Sequence, residues 1–305
     1  MDCVNYQTID FFAVFSRRLN LSLLAFSQTI SRPKIIDCVI IKLGGSILSC
    51  KEGGLNIDII RSFASELAKY RQKVLLVHGG GVFTKRVLIK HDVQSDFLTA
   101  EQINIVNEIR KSVVDLNTSL INILKELGLH CISVSPRSVV ISRNGAIIGT
   151  KSIADVIKNI LGNDEIPVLY GDVIDDNVKD YYFCGSDQIV SWLTENLRPK
   201  SVLFLTDVDG VYETYPPTSD MIKPLSILTM DLLERIKREY RVGYGEMYDK
   251  LKHAIKCASY ADTCRIINGK VNGNLIGTLS GQIETGTRVL SGFINGNNSD
   301  RASNS

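Results

Sequence analysis

The chain has 305 residues, of which 44% are hydrophobic and 22% are charged, proportions typical of a globular protein with a substantial core. Its formal net charge of +2 argues against nucleic-acid-binding and membrane-surface proteins, because both usually carry a strong positive field. The seven cysteines and four histidines show neither C-x-x-C pairs nor metal-ligand spacing. We therefore expect no disulfide framework, no metal held by protein ligands alone, and a reducing, cytoplasmic setting.

Residues 1–36 are predicted to be an N-terminal extension of unknown role. Their most apolar stretch, residues 11–26, is interrupted by Arg17 and Arg18 and is shorter than the roughly 18 uninterrupted apolar residues of a membrane span. The composition of this extension fits a targeting peptide, an extra surface helix, or a start codon assigned too far upstream. The sequence leaves these three interpretations open.

A glycine turn follows the first predicted strand. The β-branched run Cys38–Ile41 predicts a buried strand, which stops at K-L-G-G-S (42–46). Glycines at a strand end let the backbone amides approach a bulky anion closely, and Lys42 and Lys51 flank the turn. Free amides and two ammonium groups suit a polyphosphate. Neither the Walker A nor the dinucleotide-binding spacing is present, so a glycine turn with solvated lysines is the alternative.

A second glycine turn repeats this arrangement. Apolar residues at every fourth position from Leu55 to Leu67 predict an amphipathic helix, and residues 73–77 predict a buried strand that ends at H-G-G-G (78–81). Residues 82–90 then predict a helix. Alternating strands and helices predict a parallel sheet with helices on both faces, and ligands bind beyond the carboxyl ends of such strands. Both glycine turns are therefore predicted to open onto one edge of the sheet.

The remaining elements continue the alternation. A long helix is predicted over 99–127, a hairpin around Arg143–Gly145, and a helix that begins near Gly185–Asp187. A second half begins near Pro199, and the tail 291–305, rich in Asn and Ser, is predicted to be flexible. Further strands are predicted at 130–134, 167–170, 181–183, 201–205 and 264–267, and further helices at 153–161, 229–239 and 246–260.

Several motifs resemble one family both in kind and in order. The motifs are K-L-G-G-S (42–46), H-G-G-G (78–81), P-V-L-Y-G-D-V (167–173), T-D-V-D-G-V-Y (206–212), G-x-M-x-x-K (245–250) and I-N-G (267–269). Together they resemble the amino acid kinase superfamily and, within it, the isopentenyl phosphate kinases. The resemblance implies an α/β fold, an open αβα sandwich with a mainly parallel central sheet. It also implies a kinase domain over 37–290, with an acceptor-binding half over about 37–198 and a nucleotide-binding half over 199–290.

The resemblance also implies roles for individual residues. The implied catalytic residues are Lys42, Lys51, Asp187 and Lys250, where the lysines stabilise the transferred phosphoryl group and the aspartate orients them. The implied ATP-binding residues are Lys42, Gly44, Gly45, Ser46, Gly81, Thr206, Asp207, Gly210, Tyr212 and Lys250. The implied substrate-binding residues are Gly79, Gly80, Lys85 and Gly185. ATP and Mg²⁺ are the implied cofactors. We interpret His78 as a structural residue whose ring closes a hydrogen bond where the strand meets the turn.

The chain departs from the family pattern at three positions. Lys85 stands where the family has a histidine that binds the acceptor's phosphate, and its alternative interpretation is a solvated lysine in the first turns of a helix. Gln188 replaces the second aspartate of S-G-D-D, and Glu246 replaces a glycine of T-G-G-M. The change at Lys85 would affect binding of the acceptor, and the change at Glu246 would affect the geometry of the nucleotide loop.

The resulting hypothesis is ATP-dependent phosphorylation of isopentenyl phosphate to isopentenyl diphosphate, a step of isoprenoid biosynthesis. A phosphate acceptor needs no strong general base, because its oxygen is already anionic at neutral pH. One alternative is a superfamily kinase that acts on a phosphonate, an acyl-amino acid, carbamate or a nucleoside monophosphate. The other is a non-catalytic ligand-binding regulatory domain. The expected partners are a small-molecule phosphate acceptor and a second copy in a homodimer, with no nucleic acid and no membrane.

Overall fold

A computed structural model describes residues 36–50, 53–93, 95–149, 153–214, 222–237 and 246–291, without the side chain of Glu246. These residues all fall within one compact unit. Several predictions concern residues outside these ranges: the extension 1–36 apart from its last residue, Lys51, the glycine before Glu246, and nearly all of the tail 291–305.

The described residues form an eight-stranded sheet in the order β11-β13-β12-β10-β1-β2-β7-β4. Its pairings are parallel except for β12 with β13, which are antiparallel, so the predicted mainly parallel α/β sheet is confirmed. Strand β1 lies at the centre, where one neighbour comes from the first half of the chain and the other from the second. The strands are β1 (Ile36–Leu43), β2 (Val74–His78), β4 (Cys131–Ser133), β7 (Ile166–Tyr170), β10 (Pro199–Thr206), β11 (Ile227–Leu228), β12 (Thr263–Asn268) and β13 (Thr287–Val289).

Helices cover both faces of this sheet, as the alternation of strands and helices predicts. In β1, Cys38 and Ile40 join one apolar cluster, whereas Val39 and Ile41 join another on the opposite face. The first cluster also includes residues of α6 (Ile153–Gly162), α7 (Ser186–Leu197), α8 (Met230–Ile236) and α9 (Glu246–Ala258). The second also includes residues of α1 (Gly45–Leu48), α2 (Ile57–Leu67), α4 (Ile103–Glu126) and α10 (Asn274–Leu279). The remaining helices are α3 (Gly81–Lys90) and the single turn α5 (Pro136–Val139). Among the helices of the described ranges, none has the combination of length and apolar character that a membrane span requires.

The predicted hairpin is confirmed as β5 (Val140–Arg143) paired antiparallel with β6 (Ala146–Gly149). Its turn residues Asn144 and Gly145 both have positive φ angles, 49° and 79°, which suits a tight two-residue turn. A three-stranded sheet lies beside it, formed by β3 (Phe97–Leu98), β9 (Tyr181–Cys184) and β8 (Asp172–Asp175). The short strands β3, β8, β11 and β13 and the helix α10 were not predicted from the sequence.

A buried glutamate joins two elements that are distant in sequence. Glu66 lies on α2 and is 5% exposed, and its two carboxylate oxygens accept hydrogen bonds from the backbone amides of Gly273 at 2.9 Å and Ile276 at 3.0 Å. These amides lie at the amino end of α10, which carries partial positive charge. A carboxylate from another helix therefore caps α10, and its burial is compensated by these hydrogen bonds.

Replacing this cap is expected to destabilise the fold. Glu66→Ala should lower the free energy of unfolding by about 1–3 kcal/mol, because two buried amides would lose their charged acceptor. Glu126→Ala is the matched control, since that glutamate is 65% exposed and its ion pair with Arg61 is long, at 3.7 Å. This variant should change the free energy of unfolding by less than about 0.5 kcal/mol. Urea denaturation of the three proteins measures both values, and equal stabilities for the two variants would contradict the capping role.

Candidate active site

The carboxyl ends of the central strands meet at one edge of the sheet. Leu43 at the end of β1 is in register with His78 at the end of β2 and with Leu205 near the end of β10. The turn residues are tied to these strands, since the Gly44 amide donates to the Leu205 carbonyl at 3.0 Å and the Gly79 amide donates to the Leu43 carbonyl at 3.3 Å. Both glycine turns therefore open onto one edge, as predicted. This edge includes the point where the strand order reverses around β1, a usual place for ligands in such sheets.

The two glycine turns touch each other. A Cβ atom at Gly45 would lie 2.7 Å from the Cα atom of Gly81, which itself has a φ angle of +56°. Ser49 bridges the same two turns, because its hydroxyl donates to the Gly45 carbonyl at 2.9 Å and accepts from the Val82 amide at 3.2 Å. Glycine is thus required here for backbone contact as well as for turn geometry. The contact places the amide groups of both turns beside each other.

An ion pair between a buried lysine and a partly exposed aspartate lies next to this contact. Lys42, 4% exposed, places its ammonium nitrogen 2.9 Å from the Asp187 Oδ1 atom. Lys42 comes from the end of β1 and Asp187 from the first turn of α7, whose amino end favours a carboxylate. Burial alone would raise the pKa of Asp187, but the charges of Lys42 and then Lys250 more than offset this and hold the pKa below its ordinary value. The structure thus brings together three of the four predicted catalytic residues, with the two lysines near the ionised carboxylate of Asp187.

The turn after β10 faces the first glycine turn. The Ser46 hydroxyl donates to the Asp207 Oδ1 atom at 2.8 Å, which joins the first half of the chain to the second. Lys270 lies 3.8 Å from the other Asp207 oxygen. Thr206 and Tyr212, by contrast, are buried. Gly210, with a φ angle of +154°, packs against Thr287, where a Cβ atom would lie 2.6 Å from the threonine hydroxyl. Ser46 and Asp207 are therefore better placed than Thr206, Gly210 and Tyr212 to face a ligand.

His78 is part of a buried network. Its Nδ1 atom lies 3.1 Å from the Gly79 carbonyl oxygen and its Nε2 atom lies 3.1 Å from the Asn117 side-chain oxygen, while its ring stacks on Tyr170. Burial lowers the pKa of this imidazole, so it is neutral at physiological pH. These contacts agree with a structural residue at the junction of strand and turn.

The predicted substrate-binding residues differ in their surroundings. A Cβ atom at Gly79 would approach the Ser186 hydroxyl at 3.2 Å, and one at Gly80 would collide with the buried Thr84 hydroxyl. Gly185 is the N-cap of α7, with no side-chain cap. The contact between Gly79 and Ser186 therefore brings Gly185 close to the turn formed by Gly79 and Gly80. Lys85 is exposed on α3, and its role stays a prediction.

The change at position 188 has a physical explanation. The Gln188 side-chain amide donates to the Gly145 carbonyl at 2.8 Å, and its oxygen accepts from the Tyr182 hydroxyl at 2.9 Å. A second aspartate at this position could accept from the tyrosine, but it could not donate to the carbonyl while ionised. Gln188 therefore ties the β5–β6 hairpin to the amino end of α7.

Some residues at this edge carry no sequence signal of their own. Ser49 and Thr84 occupy ordinary positions in a turn and a helix, and Arg110 is one charged residue of a long amphipathic helix. Asp172 lies within the motif P-V-L-Y-G-D-V, but nothing in the sequence indicates that it is fully buried or that it faces Arg110 at 3.4 Å. Only the packing of α4 against β8 brings that pair together.

Two touching glycine turns, with a lysine–carboxylate pair beside them at the switch point of a parallel sheet, are features that suit phosphate groups in an α/β protein. Residues 37–268 match the model of the amino acid kinase family. This match spans most of the chain, which therefore belongs to the amino acid kinase family.

The chain is also similar to individual members of this family. The isopentenyl phosphate kinase of Methanothermobacter thermautotrophicus is 27% identical over 271 residues, which cover 82% of this chain and 98% of that protein. The acetylglutamate kinase of Campylobacter jejuni is 26% identical over 250 residues, which cover 78% and 86%. An X-ray structure of an isopentenyl phosphate kinase matches with a TM-score of 0.69 at 25% identity and covers 83% of this chain and 99% of its own. The chain is a small-molecule kinase with the predicted amino acid kinase fold.

Separating the two glycine turns is expected to slow catalysis strongly. Gly45→Ala places a methyl group 2.7 Å from the Gly81 Cα atom, so one turn must shift, and a shift of this size at a phosphoryl-transfer site costs about 100-fold in kcat/KM. Gly162→Ala is the control, because its added methyl group would meet no described atom within 4 Å beyond the adjacent residues and the backbone of its own helix. Steady-state kinetics and melting temperatures of both variants provide the measurement. A folded Gly45→Ala protein with normal kcat/KM would contradict the proposed close approach.

Proposed function

We propose that this kinase transfers the γ-phosphoryl group of ATP to isopentenyl phosphate, forming isopentenyl diphosphate and ADP. The observation that carries the proposal is the ionised Lys42–Asp187 pair beside two touching glycine turns. The similarity to isopentenyl phosphate kinases over nearly their whole length supports the choice of acceptor. Isoprenoid biosynthesis is the proposed pathway, and the cytoplasm is the proposed location.

The nucleotide side of the site is proposed to hold the ATP phosphates. The amides of Gly45 and Ser46 lie at the switch point, and Lys42 and Lys250 add positive charge around Asp187. The predicted role of the Gly44 amide is not supported, because this amide already donates to the Leu205 carbonyl at 3.0 Å. Gly44 instead lets the turn lie against β10, since a Cβ atom there would be 2.8 Å from the same carbonyl oxygen. Lys51 is proposed to stabilise the transferred group, although it lies outside the described residues.

Transfer from ATP needs little covalent help from the protein. An oxygen of the acceptor's phosphate forms the new bond to the γ-phosphorus as the bond from that phosphorus to the β,γ-bridging oxygen breaks, and ADP leaves. The attacking oxygen is already anionic, so no side chain must remove a proton. The protein's part is alignment and charge neutralisation. The neutral, hydrogen-bonded His78 is consistent with a site that needs no catalytic base.

Mg²⁺ is proposed to enter with ATP. Within the described ranges, no group of three or more His, Cys, Asp and Glu side chains could hold a metal ion. Mg²⁺ commonly binds through substrate phosphates and waters with one or two carboxylates, and Asp207 lies beside the first glycine turn. The residues present therefore fit a metal that the nucleotide brings, where it would neutralise phosphate charge.

We also propose a homodimer. Strand β4 lies at one end of the sheet order. An edge strand can pair through its backbone with the edge of a second copy. The similarity to acetylglutamate kinases keeps an acyl-amino acid as the second candidate acceptor.

A panel of acceptors tests the proposed reaction. Purified protein with Mg·ATP is expected to release ADP rapidly with isopentenyl phosphate and slowly with N-acetylglutamate, a phosphonate, carbamate or a nucleoside monophosphate. A coupled ADP assay measures the rates, and mass spectrometry identifies the diphosphate. Lys51→Ala is the catalytic control and should lower turnover about 10²–10³-fold, as expected for the loss of one charge-stabilising group. A preference for another acceptor would overturn the proposed substrate, and no turnover with any acceptor would favour the regulatory domain.

Lys85 is expected to contribute to acceptor binding through its charge. Lys85→Ala should raise the acceptor KM by several-fold while the ATP KM stays nearly constant, since α3 begins at the second glycine turn. Lys85→His should restore part of the binding at pH 6 and lose it by pH 8, because an unperturbed imidazole loses its proton near pH 6.5. Acceptor and ATP KM values for the three proteins between pH 6 and pH 8 test this. An unchanged acceptor KM in Lys85→Ala would assign Lys85 to the solvated surface.

A further inference from the structure

A second pair of charged side chains lies at the same edge as the active site. Arg110 comes from α4 and Asp172 from the start of β8, directly after Gly171. The Gly171 amide donates to the His78 carbonyl at 3.0 Å, and a Cβ atom at Gly171 would lie 3.1 Å from the Ser186 amide nitrogen. Asp172 is therefore one residue from the place where β7, the second glycine turn and the amino end of α7 meet.

The carboxylate of this pair is buried, and the hydrogen bonding between the two side chains is incomplete. Asp172 is 0% exposed, and its Oδ1 atom accepts from the Val173 amide at 2.8 Å and lies 3.4 Å from the Arg110 Nε atom. Among the described residues, neither Asp172 Oδ2 nor Arg110 Nε has a hydrogen-bond partner. Burial raises the pKa of Asp172 to about 6, and Arg110 opposes this shift. A buried carboxylate with an unmet hydrogen bond costs stability, so Asp172 favours a functional explanation.

The chain contains a second arginine–aspartate pair for comparison. Arg137 donates to Asp175 through two nitrogens, at 2.7 Å and 3.2 Å, and lies over the ring of Tyr181. Its side chain is 28% exposed, almost the same as the 29% of Arg110. Arg137 thus shows that an arginine with a structural role in this fold has its hydrogen bonds to a carboxylate satisfied. Arg110 has similar exposure but, among the described residues, only the 3.4 Å contact with Asp172, which leaves its remaining guanidinium donors available to a ligand.

The direction of α4 places Arg110 on the acceptor side. Val113 is one turn further along the helix, and its Cγ1 atom would lie 3.2 Å from a Cβ atom at Gly80. The hydroxyl of Thr84 lies beside the same glycine and is also buried without a partner in the described part of the chain. Asn117, a further turn along, contacts His78. One face of α4 therefore runs along the second glycine turn, and Arg110 is the charged residue of that face.

We propose that Arg110 binds the anionic group of the acceptor and that Asp172 is a positioning residue that holds its guanidinium. The inference rests on the proposed function only in requiring an anionic acceptor. A guanidinium forms two parallel hydrogen bonds to a phosphate or carboxylate, a geometry that a flexible lysine does not provide. Arg110 belongs to α4 and Lys85 to α3. Because Arg110 is paired with a buried carboxylate, the arginine would supply the fixed, directional contact of the two.

Four variants test this assignment: Arg110→Met, Arg110→Lys, Asp172→Asn and the matched control Arg137→Met. With isopentenyl phosphate and ATP, Arg110→Met should raise the acceptor KM roughly 10- to 100-fold, the loss typical of charge-assisted hydrogen bonds. The ATP KM and kcat should change less than about threefold. Arg110→Lys should retain part of the binding, and Asp172→Asn should raise the acceptor KM to an intermediate value. Arg137→Met should leave both KM values within about twofold.

The outcomes separate this inference from the proposed function. If the wild type phosphorylates isopentenyl phosphate and a folded Arg110→Met keeps its acceptor KM, Arg110 is structural and the function stands. If the wild type prefers another anionic acceptor, the proposed substrate fails and Arg110 is judged on the KM for that acceptor. If Arg110→Met does not fold, Arg110→Lys decides, and an unchanged acceptor KM in that variant overturns the inference. If calorimetry detects no binding of isopentenyl phosphate, N-acetylglutamate or inorganic phosphate to the wild type, both proposals are overturned.

Discussion

The ion pair between Lys42 and Asp187 is the interaction on which the rest of the site depends. A buried ammonium is costly unless a carboxylate compensates it, and here the two groups come from β1 and α7, which are far apart in sequence. Their contact fixes α7 against the central strand. Because α7 also carries Gly185 and Ser186, this single ion pair sets the positions of groups on both sides of the proposed phosphoryl transfer.

The contact between the glycine turns is the steric counterpart of that ion pair. Gly45 and Gly81 approach so closely that neither position tolerates a side chain, and Ser49 joins the two turns by hydrogen bonds. Amides of two turns can then face one polyphosphate from adjacent strands. Charge and backbone donors are concentrated at the edge of the sheet, while the apolar clusters on both faces keep the strands in register.

Two of the three departures from the family pattern have different consequences. Gln188 is explained by structure, because its amide holds the β5–β6 hairpin to α7. Lys85 is proposed to take part in recognising the acceptor, because the resemblance implies a phosphate-binding histidine at that position. Arg110, paired with Asp172, would supply a directional cation on the same side. Recognition of the acceptor is therefore proposed to have moved partly from α3 to α4, while the surroundings of Lys42 and Asp187 follow the family pattern.

Much of the fold could be predicted from local patterns. Apolar runs and four-residue periodicity located β1, β2, α2, α4 and α7, because strands and helices bury their faces at fixed spacings. The turn residues Arg143–Gly145 located the hairpin for a similarly local reason. The strands β3, β8, β11 and β13 were not predicted, because their two to four residues give a weak periodic signal. They exist because neighbouring strands supply their hydrogen-bond partners.

For the site, the sequence by itself determined the residue types and their order: two glycine turns at strand ends, flanking lysines, and an aspartate at the start of a helix. These signals are local, since each depends on a strand followed directly by glycine or on a helix end. Only the tertiary structure decided which of them meet. The pairs Lys42–Asp187, Ser46–Asp207, Glu66 with the amino end of α10, and Arg110–Asp172 join segments far apart in the chain. Their partners are chosen by strand order and helix packing, which no local pattern encodes.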